Sequence, residues 1–158
     1  MKLRTLPFII TALIASCSPG KSESTSKNAI HEYEIVEKQS IDLVDCLSQE
    51  EDEYLVFVHS KTCLHCQEII EDVISFASSN TMKTYFLDIS KQGNKIPICS
   101  AGEIEQGIDR VEDIKIVGTP TLLEVEEGII TFNIAGKDSC LSFLNEQTVK
   151  AKDKNIIA

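Results

Sequence analysis

The chain has no tryptophan and only 6% aromatic residues, so a buried core has to be built mainly from isoleucine, valine and leucine. It has no run of basic residues either. With 25 acidic against 15 basic residues its formal charge is −10, which argues against binding to nucleic acid, where phosphate contacts dominate affinity. No apolar segment approaches the roughly 20 residues needed to cross a bilayer core. Internal repeats are absent. What is present is an apolar content of 42% over 158 residues, enough for one domain with a real core.

The N-terminus has its own logic. Lys2 and Arg4 precede a short apolar run from Leu6 to Ala15, the pattern of a signal-peptide h-region. The run ends in Ile14-Ala15-Ser16-Cys17, which resembles the bacterial lipobox. That resemblance implies cleavage before Cys17, diacylation of its thiol, and anchoring without a spanning helix. Ordinary cleavage nearby and an uncleaved anchor are the alternatives. Removal of residues 1–16 takes away Lys2 and Arg4 but no acid, leaving a formal charge of −12. Anionic lipid repels such a chain, so the lipid itself has to provide the attachment. Residues 18–28 are small, polar and aperiodic, as in a flexible tether. The expected organisation is a signal peptide over 1–16, a tether over 17–29, a folded domain over 30–150 and a tail over 151–158.

Within the domain, Tyr33 to Val36 reads as a weak strand and Ile41 to Leu47 as a short helix. Tyr54-Leu55-Val56-Phe57-Val58 is a continuous β-branched and aromatic run, as in a strand covered on both faces. Thr62 is placed to cap a helix from about Cys63 to Ser78, whose apolar positions 66, 69, 70, 73, 74 and 77 form one stripe. Thr84 to Ile89 reads as a second strand, parallel to the first. Thr121 to Glu126 and Ile129 to Ile134 alternate around Glu127-Gly128, predicting an antiparallel hairpin. Asp138 or Ser139 would cap a last helix, with Leu141, Phe143, Leu144 and Val149 as core candidates. The class is α/β, a small mixed β-sheet flanked by helices.

Two motifs carry chemistry. Cys63-Leu64-His65-Cys66 follows the buried strand and opens a helix; Gly118-Thr119-Pro120-Thr121 precedes the hairpin. A thiol attacks a disulfide only as thiolate, and the unpaired N–H groups at a helix start favour that charge. Cys63 occupies this place and is assigned the attack. Cys66, one turn deeper, can resolve the mixed disulfide. His65 adds a charge beside the site or, alternatively, is a solvated surface histidine. Together, in this order, the motifs resemble the thioredoxin superfamily over about residues 30–150.

The resemblance implies a thioredoxin-like fold, thiol–disulfide exchange, a cis bond between Thr119 and Pro120, and peptide docking on the backbone of Thr119. The alternative for Pro120 is a trans residue starting a strand. A histidine at position 65 resembles the oxidase and isomerase members. Together with the lipobox, the family resemblance implies exported protein or peptide thiols and disulfides as partners, an integral-membrane redox partner among the options, and an extracytoplasmic, lipid-anchored location. No cofactor and no metal is assigned.

The sequence departs from the family in two places. Where many thioredoxins carry a buried carboxylate six residues before the first cysteine, this chain has Phe57. Neither Glu53 nor Asp88 can be given that task from sequence. The stretch from Lys91 to Asp113 is also long; it reads as a loop with a short helix near Ala101 to Val111, either a partner surface or a plain excursion. Cys46 and Cys140 read as buried small hydrophobes, and Cys99 as a third thiol to watch; a structural disulfide between two of the three is the alternative. Three function classes follow: an exchange enzyme, a partner-specific accessory module, and a zinc site drawing on His31, His59 or Cys99.

Overall fold

The computed structural model describes residues 35–157, with side chains through Asp153. The readings of Cys17, the tether, His31 and Tyr33 fall outside the described residues. Four strands form one sheet in the order β2-β1-β3-β4: β1 is Glu53–His59, β2 Lys83–Asp88, β3 Thr121–Glu126 and β4 Ile129–Ala135. β1 runs parallel to β2, in register from Tyr54 opposite Lys83 to His59 opposite Asp88. β3 is antiparallel to both β1 and β4. Among the described residues two long helices complete the frame: α1, Leu64–Ser78, and α2, Lys137–Ile157. The arrangement is a thioredoxin-like fold.

The five consecutive buried residues of β1, Tyr54 to Val58, follow from a sheet that is covered twice. On one face Leu55, Phe57, Phe86 and Leu122 pack against Cys66, Ile69 and Val73 of α1 and Cys140, Phe143 and Leu144 of α2. On the other, Tyr54, Val56, Val58, Leu87, Leu123 and Val125 meet Cys46, Ile96, Ile114 and Ile116. A fully buried side chain of this kind contributes about 1.5–3 kcal/mol. Both long helices therefore lie on one face. The second face is closed by irregular chain, which corrects the expectation that the stretch after Lys91 is an excursion or carries a regular helix. It contains only the 3₁₀ turns Ala101–Glu103 and Val111–Asp113. Its buried isoleucines follow no helical period, and Asn94 ties it down. The Asn94 amide oxygen accepts from the Leu43 N–H at 2.9 Å, and its nitrogen donates to the Asp88 carbonyl at 3.3 Å.

Other boundaries differ from the sequence reading. Residues 35–38 are helical where a strand was expected, and the helix expected over 41–47 is a single 3₁₀ turn, Leu43–Asp45. There Cys46 is buried and Val44 is 72% exposed. The cap of α1 is Cys63, not Thr62. α2 starts at Lys137, because Gly136, in the left-handed region at φ +96°, offers its carbonyl to the Cys140 N–H at 3.0 Å. Leu141 is half-buried, Val149 is exposed, and Cys140 takes the core place beside Phe143 and Leu144. The helix continues to Ile157, so no break marks residue 150.

Candidate functional site

β1 ends at His59, and the loop over 60–62 turns the chain into α1. The Ser60 hydroxyl pairs with those of Thr62 and Ser90 at 3.2 and 3.0 Å, and the Cys63 N–H reaches the Ser60 carbonyl at 3.1 Å. The turn delivers Cys63 in extended conformation at the N-cap of α1. Cys63 and Cys66 form a disulfide, their Cα atoms 5.2 Å apart. The Cys66 N–H donates to Cys63 Sγ at 3.1 Å, so an orphan helix donor points at this sulfur. The first turn of α1 holds no acidic residue to compete with charge there. Cys63 is half-buried, whereas Cys66 is 3% exposed and packs into the core. A substrate sulfur can therefore approach Cys63 but not Cys66.

Across from the dithiol, the Thr119–Pro120 bond is cis. The Thr119 carbonyl oxygen lies 3.3 Å from Cys63 Sγ, close enough to accept from the thiol once the disulfide is reduced. The loop is held at both ends: Thr121 Oγ1 donates to the Gly118 carbonyl at 2.6 Å, and the Gly136 N–H donates to the Pro120 carbonyl at 2.8 Å. The fold thus brings together Cys63, Cys66, Thr119 and Pro120. Leu64 and Val117 flank them as exposed apolar side chains.

His65 is placed differently. Its ring is 65% exposed, and its Nδ1 lies 3.2 Å from Glu68 Oε2; among the described residues it makes no hydrogen bond to either sulfur. Glu68 also binds Lys137 Nζ at 2.9 Å. Hydrogen bonds first from Lys137 and then from His65 hold the Glu68 carboxyl below its ordinary range. Sequence reasoning missed both Glu68 and Lys137. No local signal links them, since Lys137 arrives from the start of α2.

Phe57, at the position of the absent carboxylate, is fully buried, edge-to-face with Phe86 and stacked on His59. Glu53 stands at the opposite end of β1 from the dithiol. Asp88 is at the dithiol end of β2, buried, beside His59. Burial pushes its carboxyl up, but hydrogen bonds from Ser90 and the charges of His59 and Lys61 outweigh that and hold it low. Asp88 Oδ2 lies 3.9 Å from Lys61 Nζ. His59 lines a surface groove of about 850 Å³ with Lys61, Asp88 and Lys91.

Among the described residues, the remaining cysteines Cys46, Cys99 and Cys140 are unpaired. Burial pushes the Cys46 thiol up to about 12 and the Cys140 thiol to about 11, values at which neither offers a thiolate near neutrality. Cys99, part-exposed, has its N–H on the Ile116 carbonyl at 3.0 Å.

No protein-family model matches the chain. Among solved structures it is similar to thioredoxin f2 of Chlamydomonas reinhardtii, at 14% identity over 68% of this chain and 93% of that one, with a TM-score of 0.46. A mutant thioredoxin of Halobacterium salinarum is 16% identical over 69% and 88%, with a TM-score of 0.45. A thioredoxin-fold protein described as an oxidoreductase is 17% identical over 72% and 96%, with a TM-score of 0.48.

Proposed function

We propose that this thioredoxin-fold protein is a membrane-anchored, extracytoplasmic thiol–disulfide oxidoreductase that works through the Cys63–Cys66 pair. One observation carries the redox reading: Cys63 presents a half-buried sulfur at a helix N-cap, 3.3 Å from the Thr119 carbonyl, with its partner sulfur buried behind it.

In the oxidised form a substrate thiolate attacks Cys63 Sγ. The substrate–Cys63 bond forms, the Cys63–Cys66 bond breaks, and Cys66 leaves as thiolate. A second substrate thiolate then displaces Cys63, so the substrate gains a disulfide and the protein keeps two thiols, taking up the two protons released. Run in reverse, Cys63 thiolate attacks a substrate disulfide and Cys66 resolves the mixed disulfide. The N-cap geometry stabilises the Cys63 thiolate in either direction. An extended substrate segment would pair with the backbone at Thr119, and exported proteins or peptides are the substrate class. The lipobox-like Ile14-Ala15-Ser16-Cys17 supports lipid anchoring at the extracytoplasmic face of the cell membrane.

Glutathione equilibration of the purified full chain tests the reading and its direction. A reversible couple near about −120 mV makes the protein an oxidant, and one near about −270 mV a reductase. A dithiol that never cycles sinks the enzyme reading. Phe57 favours one second reading, a partner-specific accessory module: an apolar ring there gives Cys66 no carboxylate for proton exchange. Slow turnover of an unrelated model disulfide alongside a normal potential would point to that module.

A further inference from the structure

Glu68 stands two residues beyond Cys66, and its Oε2 is shared between two cationic or cation-forming side chains from different helices. Lys137 Nζ, at the first residue of α2, is 2.9 Å away; His65 Nδ1, inside the CxxC motif, is 3.2 Å away. The lysine is 35% exposed and the carboxylate 50%, so the triad is wet but fixed by two short contacts. Through Glu68, a side chain between the two cysteines is linked to the first residue of the closing helix.

We propose that Glu68 and Lys137 are positioning residues that set the reduction potential of the Cys63–Cys66 pair. This rests on the redox function proposed above. The potential follows the stability of the thiolate formed on reduction, so any fixed charge near the start of α1 biases it. The Glu68 carboxylate opposes the thiolate and holds the His65 ring to itself. Lys137 offsets that carboxylate and favours the thiolate. Replacing Glu68 removes one negative charge, and replacing Lys137 removes one positive charge.

Opposite shifts from two members of one triad are the signature of this arrangement. The full-length protein and its Glu68→Gln and Lys137→Gln variants would be equilibrated with glutathione, with the Cys63 thiolate followed by its ultraviolet absorbance against pH. For partly exposed charges the expected effect is about threefold in the equilibrium constant, or about 14 mV for a two-electron couple. Glu68→Gln should make the pair more oxidising and the Cys63 thiol more acidic. Lys137→Gln should do the reverse. Both shifts should shrink at high salt, as screening requires. Shifts of the same sign, or none in either variant, overturn the proposal while leaving a reversible wild-type couple intact. Loss of the wild-type couple itself would overturn the redox function, and this inference with it.

Discussion

His59 and Asp88 end neighbouring strands as a cross-strand pair, yet their proton equilibria separate on the pH axis. Burial of the His59 ring lowers its pKa; Asp88 opposes that, and Lys91 and Lys61 add to it. A histidine with a lowered folded pKa contributes stability that is complete above its unfolded value, about 6.5, and lost as pH falls through the folded one. Asp88 is also depressed, but as a carboxylate it loses its contribution only below about 3.9. The protein should therefore lose stability from about pH 7 toward pH 5 through His59 alone of the two. Urea denaturation across that window should give a flatter profile for His59→Gln than for the wild type; parallel profiles would contradict the assignment. At this scale, Cys63 and Cys66 were legible because their spacing is their chemistry. The Cys63 cap was not, since Thr62 is an equally good side-chain acceptor one residue earlier and only the Cys66 N–H contact decides between them.

Elements were legible where their burial is regular. β1 declared itself by five apolar residues in a row, α1 by its stripe, and the hairpin by alternation around Glu127-Gly128. The turn bears out the last: Glu127 and Gly128 both have positive φ, +51° and +79°, the backbone that a two-residue hairpin turn needs. A Cβ on Gly128 would also meet the Leu47 carbonyl at 3.0 Å. Gly128→Ala is expected to destabilise the fold by about 1–2 kcal/mol, read as a lower denaturation midpoint. An unchanged midpoint would mean that the turn relaxes freely. Illegible elements were those without a period. Four residues at 33–36 cannot separate strand from helix, and the cover of the second sheet face depends on Ile96, Ile114 and Ile116, whose burial comes from long-range contact alone.

For the whole molecule, sheet order and the site's two halves come from distant parts of the chain. Thr119 meets Cys63 across 56 positions, which sequence could suggest only through the paired motifs. The proposed attachment to the membrane rests on the lipobox reading of Cys17. Expression of the full chain with labelled fatty acid should label the wild type and not Cys17→Ala; equal labelling would contradict the lipobox reading. The proposed exchange depends on half-buried Cys63 being the accessible, attacking sulfur. The most direct test is to offer a peptide disulfide to Cys66→Ser and to Cys63→Ser and isolate any mixed disulfide. Cys66→Ser should accumulate a covalent adduct at Cys63, while Cys63→Ser, its remaining thiol buried, should form little or none. Preferential trapping at Cys66, or no adduct with either variant, would contradict it.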